Sequence, residues 1–521
     1  MKIFVRFLLL FTLCATSLMQ AKTAAWTILI HMETDTRLSQ WALENINAMA
    51  QAGSTKNMNI LVQLHARGDY LWRYKIKAKK IVQKDHVLIQ EHAGKDIVDG
   101  MRWAAKNFPA HNYGLILWDH GFGVLDPKVV QDSQTGAFDW EAEPDTTNNS
   151  CPNNICPLRT PHCAKNPHHA RFHRGIMLDP DNSRSYMTNT IMVETLRTIS
   201  HDVLKGQKLG FVGTDACKMA MVEIAYQIKE YAEYFIGAQN CEIADGWPYQ
   251  SIFERIGTTD LEPHEIACII VQEFERYCQV HAHEGLYTQS AIDLSHMDTI
   301  RDALNSFVLS AQYYAQYNPS AFQNLAYRAR QRSVAICTAP FYTDFVSFFE
   351  MLVNELLNES TSTRTKEEGL EQAMPQSENK SKKTSEKIFV KNEEESSSEY
   401  EEFVFNYATE MSESLDENIV TTEESSIEII IQDMIENLAQ AHELEKIEAQ
   451  AAREELIEQT YHIIAALRNA VVANTTGARI SRAEGLSVYF PYNHIESSYP
   501  TTRFSKESLW LDFLINTLGC N

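Results

Sequence analysis

The chain has 521 residues, of which 44% are hydrophobic and 22% charged, a composition typical of a globular protein with a sizeable core. Its 69 acidic residues outnumber its 46 basic ones, which gives a formal net charge of −23. A field of that sign repels phosphate backbones and anionic lipids, so nucleic acid is not expected as a partner. Much of the excess is local, because residues 359–428 hold 19 acidic and 7 basic side chains.

The first 21 residues have the pattern of an export signal. Lys2 and Arg6 precede a short apolar run at 7–14, which is too short to span a bilayer, and Ala21 is a small residue at which a signal peptidase could cut. We therefore expect residues 1–21 to be a signal peptide and the product to be periplasmic or secreted, without stable membrane insertion. A buried N-terminal strand is the alternative.

Short apolar runs then alternate with helical patterns, which predicts an α/β fold with a mainly parallel sheet flanked by helices. In the first part, strands are predicted at 26–32, 59–64, 70–76, 87–90 and 113–118, and helices at 38–52 and 97–108. In the second part, helices are predicted at 190–204, 220–231, 263–279, 297–317 and 345–357, and strands at 208–213, 234–238 and 289–294.

Two segments interrupt this alternation. Residues 131–174 are rich in Pro, Asn, Asp and Thr and are predicted to form a long surface insertion. Residues 358–426 are rich in Ser, Glu and Lys, and cannot bury enough apolar surface to offset their chain entropy, so they are predicted to be disordered.

The C-terminal part, 427–521, begins with a long helical pattern at 427–473 and continues with a strand at 485–491 and a helix at 509–518. The long helix and the acidic tract before it could bind a partner, the helix acting as a coiled-coil arm. We favour a helix that folds back on the body of the protein.

Nine of the ten cysteines follow the signal, and an odd number leaves at least one thiol free or paired between chains. Cys151, Cys156 and Cys163 lie in the surface insertion near several histidines. Their spacing is not a standard zinc-finger pattern, so a disulfide or a loose loop is favoured over zinc.

Two predicted strands end in side chains suited to nucleophilic catalysis. One leads into His120 and Gly121, and the other leads into Cys217. Ligands of open α/β sheets bind beyond the carboxyl ends of the strands, so both groups are expected at one edge. Cys217 is expected to open a helix, which would lower the pKa of its thiol.

The chemistry of such a pair is acyl transfer. A thiolate attacks a carbonyl, the imidazole supplies a proton to the leaving amine, and backbone N–H groups of Gly121 and Cys217 could stabilise the oxyanion. Taken singly, Cys217 could instead be a packed core thiol and His120 a strand-end histidine.

The two strand ends belong to a set of segments that together match a known family: 112–123, 214–226, 233–239, 245–249, 286–294 and 485–491. On these segments the chain resembles the clostripain-like cysteine peptidases, which belong to the caspase-like clan. The resemblance covers about residues 26–357 and resumes at about 456. It implies a caspase-like three-layer sandwich, in which a catalytic domain at 22–357 is completed by residues 427–521, while the acidic insert has no recognised counterpart.

The resemblance also implies an endopeptidase that cleaves protein or peptide substrates after Arg or Lys through a thioester acyl-enzyme, with Cys217 as nucleophile and His120 as general acid/base. Asp215 and Asp245 fall on the positions of a basic P1 pocket, where a carboxylate would pair with a guanidinium. A helix N-cap is the other role open to Asp215.

Family members carry an activation segment between the His and the Cys, so the resemblance implies a zymogen cut within 131–174. Some members are activated by calcium. This sequence has no EF-hand-like run, and none of its motifs indicates a required metal or cofactor.

The alternative is a non-catalytic interaction protein built on the same scaffold, which would bind a partner through the acidic tract and the long helix. The joint presence of Cys217, His120, Asp215 and Asp245 argues against it.

Overall fold

The computed structural model describes most of the chain, in two compact units. One is formed by residues up to Leu357 together with Glu455–Asn521, and the other by Asn358–Glu454. The predicted signal peptide, Cys151, Cys156 and Cys163, and the middle of the acidic insert lie outside the described residues. The described residues are 23–34, 38–66, 68–126, 129–131, 138–140, 187–281, 285–336, 341–371 and 424–521.

The first unit is built on a nine-stranded sheet. Its strands are β1 (Ala24–Thr34), β2 (Met58–Ala66), β3 (Tyr70–Lys77), β4 (Lys80–Leu88), β5 (Ala110–Trp118), β8 (Leu209–Asp215), β9 (Ala232–Gly237), β10 (Thr288–Asp293) and β12 (Val471–Thr476). Their order is β12-β10-β9-β8-β5-β1-β2-β3-β4. The five central strands, β9, β8, β5, β1 and β2, run parallel to one another. Antiparallel strands complete both edges, β10 and β12 on one side and β3 and β4 on the other. The predicted mainly parallel sheet is confirmed.

Two smaller antiparallel pairs stand apart from the large sheet. One joins β11 (Tyr342–Asp344) to β13 (Ser487–Tyr489). The other joins β6 (Val129–Gln131) to β7 (Phe138–Trp140), where the predicted surface insertion begins.

Helices cover both faces of the large sheet and make it the middle of three layers. One face packs against α1 (Ser39–Ala52), α5 (Tyr249–Ile256) and α6 (Pro263–His281). The opposite face packs in a larger apolar cluster with α2 (Ala93–Asn107), α3 (Asn189–Thr198), α4 (Val222–Ile228), α7 (Met297–Ala315), α8 (Pro319–Arg332), the start of α9 (Phe345–Glu371), the end of α10 (Glu424–Ala470), α11 (Arg503–Glu507) and α12 (Trp510–Asp512).

The central strands are nearly continuous apolar runs because both of their faces are covered. Every residue of β8 is buried, as is every residue of β1 after the first. These runs are what made the central strands recognisable in the sequence.

The sequence analysis did not predict the helices α5 and α8 or the strand β11. The structure also differs from the prediction in the C-terminal part. The helix predicted to reach residue 473 ends at Ala470, and Val471–Thr476 pairs with β10 as an edge strand. Its β-branched residues suit a strand, but they follow the helical pattern without a break. From Leu456 onward, α10 contributes buried residues to the larger cluster, so this part of the helix folds back on the body.

The second unit contains the remainder of α9 and the first part of α10. Both ends of the segment predicted to be disordered are helical, because α9 continues to Glu371 and α10 begins at Glu424. Within this unit α10 exposes apolar side chains, among them Ile430, Met434 and Leu444. Across the part of the chain that the structure describes, no helix combines the length and the apolar character needed to cross a bilayer.

A buried ionic network joins β1 to β2 near their carboxyl ends. Glu33 accepts hydrogen bonds from His31 Nε2 at 3.0 Å and from His65 Nδ1 at 2.6 Å. His65 Nε2 also lies 3.0 Å from the carbonyl oxygen of Gly68. Both partners of His65 can only accept, so both ring nitrogens carry protons and the ring is cationic. Burial alone would raise the pKa of Glu33, but these hydrogen bonds hold the pKa below its usual 4.5.

Candidate active site

The carboxyl ends of β5 and β8 bring two of the predicted site residues to one edge of the sheet. The two strands are parallel neighbours, with Trp118 paired to Asp215. The backbone N–H of Asp119 donates to the carbonyl oxygen of Asp215 at 3.4 Å. His120 and Cys217 follow directly, so the two residues leave the sheet from the ends of neighbouring strands.

Gly121 lies directly against the backbone of the cysteine turn. A Cβ atom added to Gly121 would lie 2.4 Å from the carbonyl oxygen of Cys217 and 3.0 Å from the Cβ of Ala216. Only glycine permits this approach without displacing the neighbouring backbone. The histidine turn and the cysteine turn are therefore in contact along their main chains.

Cys217 does not open a helix, so that prediction is wrong. The residue lies in a turn whose next residue, Lys218, has a left-handed φ of 61°, and α4 begins only at Val222. The N-cap position of α4 belongs to Met221, so Asp215 is not its cap either. A helix N-terminus therefore does not lower the pKa of this thiol.

The Cys217 thiol is held by the loop that follows β9. The backbone N–H of Lys218 donates to the carbonyl oxygen of Asn240 at 2.9 Å, and the backbone N–H of Glu242 donates to Cys217 Sγ at 3.1 Å. The hydrogen-bonded side chain of Cys241, together with burial, raises the pKa of the Cys217 thiol well above its usual value, while the charge of Lys218 acts in the opposite direction. In this geometry the protonated thiol of Cys217 is favoured over the thiolate.

Asp215 is buried directly beneath the cysteine turn. Its Oδ2 accepts hydrogen bonds from the backbone N–H of Trp247 at 3.1 Å and from the Tyr249 hydroxyl at 2.8 Å. Burial raises the pKa of this carboxyl to about 7, although both hydrogen bonds act to lower it. Gly246, with φ of 70°, approaches so closely that an added Cβ would lie 2.9 Å from Asp215 Oδ2.

Asp245 lies on the same loop, between β9 and α5. Its Oδ2 accepts a hydrogen bond from the Tyr277 hydroxyl at 2.7 Å, and its carbonyl oxygen accepts one from Asn45 Nδ2 at 3.1 Å. The side chain is partly exposed. Asp245 therefore lies in the loop between β9 and α5, and Asp215 is hydrogen-bonded to the same loop. This loop also donates a hydrogen bond to Cys217.

Glu242 is a third acid of this region, and sequence reasoning missed it. Its backbone contacts the Cys217 sulfur, and both of its carboxylate oxygens are buried. Burial, followed by the charges of Asp215 and Cys241, raises the pKa of Glu242 well above its usual value. Its position three residues before Asp245 is the signal that could have drawn notice.

No group of three or more His, Cys, Asp or Glu side chains within the described ranges is arranged to hold a metal ion. The calcium activation implied by the resemblance therefore has no ligand set of that kind among these residues.

Comparison with known proteins adds a family match. A model described as the Clostripain family, Peptidase C11, matches residues 30–149 and 165–484. No curated protein matches the sequence.

Two crystal structures are among the similar folds. A secreted C11 cysteine protease from Bacteroides thetaiotaomicron, in complex with an irreversible peptide inhibitor, is 18% identical over 63% of this chain and 78% of that one, with a TM-score of 0.43. An inactive zymogen C11 protease from Parabacteroides distasonis is 15% identical over 93% of this chain and 98% of that one, with a TM-score of 0.47.

Proposed function

The chain belongs to the clostripain family of cysteine peptidases, and we propose that it hydrolyses peptide bonds after Arg or Lys with Cys217 as the nucleophile and His120 as the general acid/base. The observation that carries the proposal is the contact between the two turns, where Gly121 lies against the backbone of Cys217. It holds an imidazole and a thiol at the carboxyl edge of adjacent parallel strands, where substrates of open α/β sheets bind.

The reaction begins with attack of the Cys217 sulfur on the scissile carbonyl carbon. Because the resting pKa of the thiol is high, His120 accepts the thiol proton as the sulfur–carbon bond forms. The backbone N–H groups of Gly121 and Cys217 stabilise the oxyanion. His120 then donates the proton to the departing amine, which leaves a thioester on Cys217, and a water molecule hydrolyses that thioester.

Asp215 and Asp245 provide the preference for a basic P1 side chain. Asp215 is buried beside the nucleophile, and its pKa of about 7 reflects the cost of an unneutralised charge there. A substrate guanidinium or ammonium group neutralises that charge and gains charge-assisted hydrogen bonds. Asp245 is less buried, and its Oδ2 is already engaged by Tyr277.

The proposal also covers export of the chain and activation of the enzyme. Residues 1–21 direct the chain out of the cytoplasm, to the periplasm or the exterior. The segment 131–174 is cut to activate the enzyme. It contains Arg159, Lys165, Arg171 and Arg174, so the enzyme would find in its own linker the basic residues after which it cleaves. No step of the mechanism is assigned to calcium.

The test is hydrolysis of fluorogenic peptides that differ only in the P1 residue: Arg, Lys, Asp or Leu. Enzyme lacking residues 1–21 is compared with Cys217→Ala and His120→Ala, each with and without calcium and after nicking within 131–174. Cleavage after Arg or Lys that is lost in both variants supports the proposal. If folded, reduced and nicked protein cleaves none of the peptides, the proposal is wrong and a non-catalytic binding role takes its place.

A further inference from the structure

The carboxylate of Glu242 is buried beside the cysteine turn with little to compensate its charge. Both carboxylate oxygens of Glu242 are buried. The hydrogen-bonding side chain of Trp247 acts to lower the pKa of this carboxyl, but burial and the charges of Asp215 and Cys241 outweigh it. Glu33, by contrast, is bonded to two histidines. A buried charge without compensation is costly, so the arrangement favours a ligand that supplies the missing donors.

The position of Glu242 connects it to the reaction centre. Its backbone nitrogen lies 3.1 Å from the Cys217 sulfur, so its side chain branches from a residue in direct contact with the nucleophile. Its carboxylate is close enough to Asp215 for the two negative charges to repel one another. The two acids therefore share one buried region beside Cys217.

Once both carboxyls are ionised, Asp215 cannot satisfy Glu242, because two carboxylates repel and each oxygen of a carboxylate only accepts. The Oδ2 of Asp215 is already engaged by Trp247 and Tyr249. The other titratable groups that interact electrostatically with Glu242 are Cys241, Tyr249 and Cys278, none of which is a cation. Asp245 interacts with Cys278 as well. Lys218 is the cation that acts on neighbouring Cys217.

We propose that Glu242 is a specificity-determining residue, which binds the guanidinium or ammonium group of the P1 side chain together with Asp215, and that arrival of this cation releases a proton from the pair. The inference rests on the proposed cleavage after basic residues and deepens it. In the empty pocket the two carboxyls share a proton, because both cannot be ionised side by side without a counter-charge. A P1 cation supplies that counter-charge and up to five N–H donors, so both carboxylates ionise and the proton passes to the solvent.

The test compares two peptides that are identical except at P1, one with Arg and one with citrulline, which has the same shape but no charge. The ratio of their kcat/KM values isolates the charge of the P1 group from the chemistry at Cys217. It is measured from about pH 5 to about pH 9, where the shared proton is expected to leave. The variants are Glu242→Gln, Glu242→Asp and Glu254→Gln. The last removes the same charge from an exposed residue of neighbouring α5.

In the wild type, the preference for Arg over citrulline is expected to increase with pH as the pair loses its proton. Glu242→Gln should reduce that preference about 10- to 100-fold, the value of a hydrogen bond to a charged group. Its residual preference should reach its maximum at lower pH, because Asp215 no longer faces a second carboxylate. Glu242→Asp should retain the pH dependence at a reduced preference, and Glu254→Gln should match the wild type.

Turnover of the citrulline peptide, compared with that of Glu254→Gln, is the internal check on the fold of each variant. If Glu242→Gln cleaves citrulline normally and keeps the full preference for Arg, Glu242 does not bind the P1 cation and only this inference fails. If the wild type cleaves after neither residue, or Cys217→Ala remains active, the proposed function fails, and this inference with it.

Discussion

Replacing Gly121 with alanine perturbs the contact on which the proposed mechanism depends. The new Cβ would lie 2.4 Å from the carbonyl oxygen of Cys217, about 1 Å short of the 3.4 Å at which ordinary contact begins. The oxygen belongs to the backbone, so the clash cannot be relieved by a side-chain rotation. The two turns must separate by about this amount, which moves His120 away from Cys217.

A misplacement of about 1 Å between catalytic groups can lower a rate about 100-fold. We therefore expect Gly121→Ala to lower kcat/KM by about that factor, while overpacking reduces the free energy of unfolding by only about 1–3 kcal/mol. Peptide hydrolysis and thermal unfolding are measured on the same preparation.

Gly210→Ala is the matched control. A Cβ added to Gly210 would lie 2.4 Å from the ring of Trp26, the same distance as in the Gly121 clash. Gly210 lies near the start of β8, at the opposite end of the strand from Cys217. It should lower stability and leave the kcat/KM of the folded fraction close to that of the wild type. A Gly121→Ala enzyme that is folded and as active as the wild type would refute the reasoning.

Two further substitutions test the electrostatics. Cys241→Ala removes the side chain that contributes most to the high pKa of Cys217, so the pH profile of Cys217 alkylation by iodoacetamide should move to lower pH; an unchanged profile would contradict this. Glu33→Gln leaves cationic His65 buried without its counter-charge, so it should reduce the free energy of unfolding by about 3 kcal/mol in chemical denaturation. Because the pKa of Glu33 is lowered on folding, that difference should be complete at about pH 5, where Glu33 is ionised and His65 is still cationic, and shrink as the pH falls through the folded-state pKa of Glu33. Exposed Glu91→Gln is the control, and equal losses in both variants would contradict the prediction.

The central strands could be predicted from the sequence because burial on both faces leaves an apolar run with few alternatives. The strand ends then indicated where His120 and Cys217 would emerge. The edge strand at Val471–Thr476 could not be recognised in the same way, since its partner β10 is almost 180 residues away in the chain and its sequence continues a helical pattern.

Local backbone geometry explains most of what was missed at the site. A polar residue after an apolar strand is compatible with either a helix start or a turn, and the left-handed φ of Lys218 selects the turn. Glu242 emerged only from the path of the loop after β9, which returns its backbone to Cys217. The pairing of Glu33 with His65 likewise depends on the register between β1 and β2, which aligns these two residues.

The central claim is that Cys217 is the nucleophile of a site selective for basic residues. It is tested most directly by labelling the processed enzyme with two peptide chloromethyl ketones that differ only in carrying Arg or Leu at P1, and mapping the label by mass spectrometry. The structure supplies the internal control, because Cys241 lies beside Cys217 and is also a partly exposed cysteine. The account predicts rapid labelling of Cys217 alone, by the Arg reagent and not the Leu reagent, and its loss in His120→Ala. Labelling of Cys241 instead, or equal rates with both reagents, would contradict it.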